Sequence, residues 1–147
     1  TKLLGDDFSP KDLLEVRETQ FSKIGISRAK AKFSLVISAY IEENPDFFHK
    51  LHFLNTETQI DELMKFKGVG IWTASIFVMS TDIMSDIFAY GDGTLKKAIK
   101  QVYCLNEDGF EQDLEKIISR WTPYKTLICN ALWHYNDTIL TQTRNRI

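Results

Sequence analysis

Two features of this chain have residue types and spacing that suit chemistry. The first is Lys67-Gly68-Val69-Gly70-Ile71-Trp72-Thr73-Ala74, in which a Gly-Val-Gly stretch runs into an apolar segment at Trp72. Gly68 and Gly70 can both take positive φ, which lets the chain reverse between two helices in very few residues. The backbone N–H groups from Gly68 to Thr73 then lack intrahelical acceptors. At a helix N-terminus such donors form an anion site that needs no basic side chain. Glycines also make ordinary helix-helix turns, so the stretch alone leaves both readings open.

The second feature is Asp92, set between Gly91 and Gly93 and directly before a predicted helix. Its plainest role is to cap that helix. Its chemical role would be that of a carboxylate kept anionic by helix N-terminal dipoles, placed to stabilise positive charge developing on a substrate. The flanking glycines would let a bulky substrate come close. Trp72 and Trp133 extend the set. Large aromatics usually belong to the core, but Trp72 follows an anion-binding turn and so lies close to whatever that turn holds. An aromatic face attracts a cation, and an alkylated purine is a flat cationic ring. Two tryptophans beside an ionised Asp92 would suit such a base after it is flipped from a duplex.

The elements that must carry these residues read as helical. The chain has 147 residues, only three prolines and seven glycines, with 44% hydrophobic and 26% charged side chains. That is enough for one domain with a real core, residues 1–147, and the apolar spacing points to an all-α fold. Pro10 is expected to open a first helix running through Leu14 and Val16. Ser27 caps a second, with Ala31, Phe33, Leu35, Val36, Ala39, Tyr40 and Ile41 as its apolar positions. A short helical turn covers Phe47 to Leu51. Thr56 begins the next helix, which runs to Phe66, where the hairpin (66–73) ends it. The helix from Trp72 to about Asp82 is apolar nearly all round and is expected to be central in the core. After a loop holding Tyr90 to Gly93, helices are predicted from Thr94 to Tyr103, from Phe110 to Trp121, and from Pro123 onward.

Composition narrows the function classes. The net charge is −2, so nothing in the overall balance points to nucleic acid. Any DNA contact must be local, resting on backbone amides and a few lysines such as Lys65, Lys67, Lys96, Lys97, Lys100 and Lys125. Taken singly, each of these lysines reads as part of a solvated helix face. Cys104 and Cys129 are too few for a four-thiolate zinc or iron–sulfur site and read as reduced, buried thiols of an intracellular protein. The sequence shows no signal peptide and no apolar run of membrane-spanning length. It starts at Thr1 without an initiator methionine, as a processed or truncated chain would.

Three blocks in order, Phe66-Lys67-Gly68-Val69-Gly70-Ile71-Trp72-Thr73-Ala74, Tyr90-Gly91-Asp92-Gly93-Thr94-Leu95-Lys96-Lys97 and Arg120-Trp121-Thr122-Pro123-Tyr124-Lys125, resemble those of the helix-hairpin-helix DNA glycosylases. The resemblance is nearest to the 3-methyladenine DNA glycosylase II branch, and Gly25-Ile26-Ser27-Arg28-Ala29-Lys30-Ala31 resembles a further block of it. It covers nearly the whole chain.

The resemblance implies an all-α, glycosylase-type helical bundle that lacks its N-terminal part. Asp92 would be the catalytic aspartate, and Trp72, Trp133, Ile76 and Tyr90 would line the base pocket. Amides of Gly68, Gly70 and Thr73 would hold a DNA phosphate. No cofactor would be required. A monovalent cation would fall on the carbonyls of Met64, Phe66 and Val69. Members with lyase activity carry a lysine where this chain has Trp72, which implies a monofunctional enzyme that leaves an abasic site. The implied substrate is double-stranded DNA containing an alkylated purine, within base excision repair, for a monomer that does not engage membranes and acts in the bacterial cytoplasm or the nucleus.

Two departures stand out. The family's helices ahead of Thr1 carry the residue that wedges into the gap left by the flipped base. Ile76 stands where the branch can have an aromatic, which bears on the choice of damaged base. Two other functions fit the same residues: a non-catalytic hairpin module that binds distorted DNA, and a glycosylase for a deaminated or mismatched base.

Overall fold

The computed structural model describes residues 8–144, apart from the side chains of Glu18 and of residues 139–144. Among the described residues the secondary structure is entirely helical, as expected. The helices are α1 (Pro10–Leu14), α2 (Glu18–Lys23), α3 (Arg28–Glu43), α4 (Phe47–His52), α5 (Thr56–Met64), α6 (Ile71–Thr81), α7 (Gly93–Tyr103), α8 (Phe110–Ser119) and α9 (Lys125–Arg144). None of them is long and apolar enough to cross a membrane. The chain divides into two compact units, one ending at Gly70 and the other beginning at Ile71.

In the first unit α3 packs against α1 and α2, and α4 against α5. Helix α2 was not expected from the sequence. Its six residues, Glu18 to Lys23, are too few to show a periodic stripe. What fixes it is its ending. Gly25 sits at φ 81, its N–H donates to Ser22 O at 3.2 Å, and Ile26 N–H donates to Phe21 O at 3.0 Å. This pair of bonds is a Schellman ending. Ser27 then caps α3, its hydroxyl accepting from Lys30 N. Helix α5 is capped in turn by Asn55, whose side chain accepts from Thr58 N at 2.9 Å.

Three rings link α3, α4 and the stretch that leaves α5. Tyr40 meets Phe47 at 5.3 Å and Phe66 at 5.0 Å, and Phe47 meets Phe66 at 5.5 Å, all edge to face. That geometry is the favoured one for aromatic pairs. The cluster holds the first arm of the hairpin, and the expected helix through Phe66 ends at Met64 instead.

The second unit buries Val78 of α6, Leu95, Ala98 and Ile99 of α7, Leu114 and Ile118 of α8, and Cys129 of α9. Helix α6 is not buried all round as its sequence suggested. Ala74, Ser75, Val78 and Met79 are buried, but Ile71 and Trp72 in its first turn are exposed.

Helix α9 begins at Lys125, not at Pro123, and its capping group comes from far away in the sequence. Asp86 Oδ1 accepts from Lys125 N at 3.1 Å and Oδ2 accepts from Lys125 Nζ at 2.8 Å. One residue on, the fully buried Thr126 hydroxyl lies 2.9 Å from Ser85 Oγ and accepts from Ile87 N at 3.3 Å. The segment that leads to Asp92 is thereby fastened to the first turn of α9.

One further expectation is corrected. Cys129 is buried, but Cys104 is exposed and stands at φ 53 at the end of α7. Several of the lysines are held in ion pairs. Lys65 pairs with Glu62, Lys96 with Glu111, Lys100 with Glu107 and Lys125 with Asp86. Of the six, Lys67 and Lys97 are exposed and make no ion pair among the described residues.

Candidate active site

Asp92 is the N-cap of α7, as its position before a helix suggested. It has extended backbone (φ −86, ψ 108), and its Oδ1 accepts from Leu95 N at 2.9 Å. The other oxygen does something the capping role does not require. Oδ2 accepts a hydrogen bond from the indole Nε1 of Trp72 at 3.3 Å. The carboxylate is therefore held from two sides, by the first turn of α7 and by the second residue of α6.

Gly91 makes room for this contact. A Cβ built on Gly91 would lie 3.3 Å from Trp72 Cβ and 3.4 Å from Cδ1, tighter than ordinary packing. Gly93 differs: a Cβ there would meet open space. Of the two flanking glycines, one is packed against the tryptophan and the other faces open space.

Trp72 is 45% exposed although its indole N–H is engaged. Ile76, one turn further along α6, and Trp133, on α9, are both half-buried. Tyr90 is exposed and turned toward other partners. Its hydroxyl donates to Glu115 Oε2 at 3.3 Å and its ring meets Phe88 edge to face at 4.9 Å. Burial, then the Glu115 charge and hydrogen bond, raise its phenol above the ordinary value. The structure thus joins Trp72 to Asp92 directly and ties Tyr90 to α8.

Asp86, Ser85, Thr126 and Lys125 were missed as supporting residues. Their contacts span 39 to 41 positions and leave no local signature. At Asp86, burial is the strongest single influence and raises the pKa. The hydrogen bonds from Lys125 and Thr122, with the Lys125 charge, together outweigh it and hold the carboxyl below the ordinary carboxylate value. Burial pushes the Cys129 thiol up to about 12, so this cysteine is no nucleophile.

The hairpin glycines play unequal parts. Gly68 has φ 94, and a Cβ on it would fall 2.3 Å from the ring carbons of Phe33 in α3. Gly70, which could also take positive φ, does not do so, and a Cβ there would meet nothing within 4 Å. One glycine therefore makes the turn and the other leaves backbone uncovered. Thr73 lies in the first turn of α6, where backbone amides have no intrahelical acceptor.

Among the described residues, no cluster of His, Cys, Asp or Glu could hold a metal ion. The carbonyls of Met64, Phe66 and Val69 are a different donor set. Met64 closes α5, and the Phe66 carbonyl accepts the Val69 amide at 3.0 Å, leaving it one further lone pair. By their chemistry alone, three neutral carbonyl oxygens would suit a monovalent cation and would offer no charge to balance a divalent one.

Known proteins are similar to this chain in sequence, and one solved structure is similar in fold. The alkylbase DNA glycosidase-like protein mag2 of Schizosaccharomyces pombe is 26% identical over 130 residues, covering 87% of this chain and 61% of that protein. YfjP of Bacillus subtilis, provisionally named a DNA-3-methyladenine glycosylase, is 25% identical over 122 residues, covering 83% of this chain and 41% of that protein. A crystal structure of DNA-3-methyladenine glycosidase from Bacillus halodurans matches with a TM-score of 0.74 at 27% identity, over 93% of this chain and 63% of that one. No protein-family model matches the chain. The chain spans between 41% and 63% of the length of these three proteins.

Proposed function

We infer that this chain, a member of the helix-hairpin-helix DNA glycosylase superfamily, hydrolyses the N-glycosidic bond of alkylated purines in double-stranded DNA. The observation that carries the reading is the Asp92 carboxylate, fixed at the N-terminus of α7 beside the exposed indole of Trp72.

Alkylation places a positive charge on the purine, so the base departs neutral when the bond to C1′ breaks and needs no proton from the enzyme. The charge passes to the deoxyribose, which becomes oxocarbenium-like. A preorganised carboxylate beside that sugar lowers the barrier, and Asp92 is the group proposed for it. Water then adds to C1′ and loses its proton, leaving an abasic site. The two tryptophans, Trp72 and Trp133, are the proposed cation-binding walls of the pocket, with Ile76 and Tyr90 at its edge. The amides of Gly68, Gly70 and Thr73 are proposed as phosphate donors, which suits a chain with no excess of basic residues. The reaction draws on no cofactor, and no step passes through the hairpin cation.

The amine that a lyase needs to attack the sugar is absent at position 72, where the side chain is an indole. We therefore propose that the strand stays intact. The test uses duplexes that each carry one defined lesion, with free base and strand breaks measured separately. Release of an alkylated purine, with breaks only after alkali, is the expected result. Release confined to a deaminated or mismatched base would move the substrate class. Binding without any release would leave a hairpin module.

A further inference from the structure

We propose that Trp72 is a positioning residue for Asp92, acting through its indole N–H and not only as a wall for the base. The inference rests on the reading of Asp92 as the group that stabilises the sugar cation.

A capping aspartate needs one oxygen for its helix, and the other is then free to reorient about the last side-chain torsion. Asp92 lacks that freedom. Oδ1 is fixed by Leu95 N at 2.9 Å and Oδ2 by Trp72 Nε1 at 3.3 Å. Two donors on different oxygens, one from each of two helices, define the plane of the carboxylate. Each oxygen retains a second lone pair, so the indole fixes direction without using up the site's capacity to face a cation. A group aimed before the reaction begins needs no reorganisation as charge develops.

The neighbouring sequence serves the same contact. Gly91 has no Cβ where Trp72 passes, and an added methyl group would press on the Trp72 β-carbon at 3.3 Å, the atom that sets where the indole lies. Trp72 as a residue nevertheless stays 45% exposed, which leaves it accessible to a base while its N–H faces Asp92.

The experiment compares Trp72→Phe, Asp92→Asn and the double variant. Single-turnover release is measured on duplex DNA methylated with dimethyl sulfate. Affinity is measured separately on a duplex carrying a tetrahydrofuran abasic analogue. Trp72→Phe keeps an aromatic face and loses the donor. It is expected to slow release about tenfold, the scale of one hydrogen bond to a charged group, with affinity unchanged. In the Asp92→Asn background the same substitution is expected to have no further effect, because a residue that acts through another loses its influence when that one is gone. Gly91→Ala retains the indole but displaces it, and is expected to show the same pattern. An equal loss in both backgrounds would overturn the proposal, as would unchanged release by Trp72→Phe. Wild-type release by Asp92→Asn would overturn the catalytic reading instead. The contact itself is then judged by the Trp72 indole N–H resonance, which is expected to move in Asp92→Ala; an unmoved resonance would refute it.

Discussion

Gly68 lies so close to Phe33 that the position of a β-carbon on the glycine falls 2.3 Å from two carbons of the phenylalanine ring. The hairpin turn is therefore seated on α3 through the absence of a side chain, at a residue whose φ of 94 already favours glycine.

Gly68→Ala is expected to destabilise the chain by at least about 2 kcal/mol, combining left-handed strain with overpacking against Phe33. Denaturant melts measure this directly. A change below about 0.5 kcal/mol, the ordinary range for surface substitutions, would mean the turn can re-form elsewhere.

Gly70→Ala separates the hairpin's binding role from its folding role. With open space at Gly70 and no positive φ, stability is expected to stay within about 0.5 kcal/mol of the parent. Affinity for an abasic-site duplex is expected to fall, since the added methyl group would cover backbone proposed to face a phosphate. Equal affinity would remove Gly70 from that contact.

Asp86 gives the chain a specific acid sensitivity. Its folded carboxyl titrates below the ordinary carboxylate value of about 3.9. Its ionised form therefore adds stability above that value, and the increment is lost as pH falls through the depressed folded pKa. Asp86→Asn is expected to flatten the acid limb of a stability–pH curve and, by weakening the cap on α9, to cost about 1 kcal/mol at neutral pH. Parallel acid limbs in parent and variant would contradict the role given to Asp86.

The two cysteines are expected to differ sharply toward a thiol reagent. Exposed Cys104 reacts in the native protein, while Cys129, buried with its thiol pushed up to about 12, reacts only on unfolding. Cys104→Gly is further expected to add about 0.5–1 kcal/mol of stability by relieving the left-handed conformation at φ 53. Two native-state reactive thiols would contradict the burial of Cys129.

How much of this could be read from the sequence follows the range of the forces involved. Apolar spacing and local caps such as Ser27 and Asp92 act within a turn or two, so most helices and the cap before α7 were legible. Helix α2 was not, because Phe21 is its one large apolar residue and its stop signal, Gly25, also fits an ordinary turn. The start of α9 was misplaced because Pro123 is a common opener, whereas Asp86 caps Lys125 across 39 residues. The tie between Tyr90 and Glu115 of α8 spans 25 residues and is visible only in three dimensions. The gap between Gly68 and Gly70 is of the same kind. Both glycines look alike in the chain, and only the folded backbone, with its φ of 94 at Gly68, and the ring of Phe33 distinguish them.

The most direct test of the catalytic reading is base release by Asp92→Asn on dimethyl-sulfate-methylated duplex DNA, with abasic-site affinity measured alongside. The amide keeps an oxygen to cap α7 but carries no charge, so the expected result is unchanged affinity with release at least about a hundredfold slower, equivalent to roughly 3 kcal/mol in the barrier. Release at the parent rate would show that the charge at position 92 plays no part in breaking the bond.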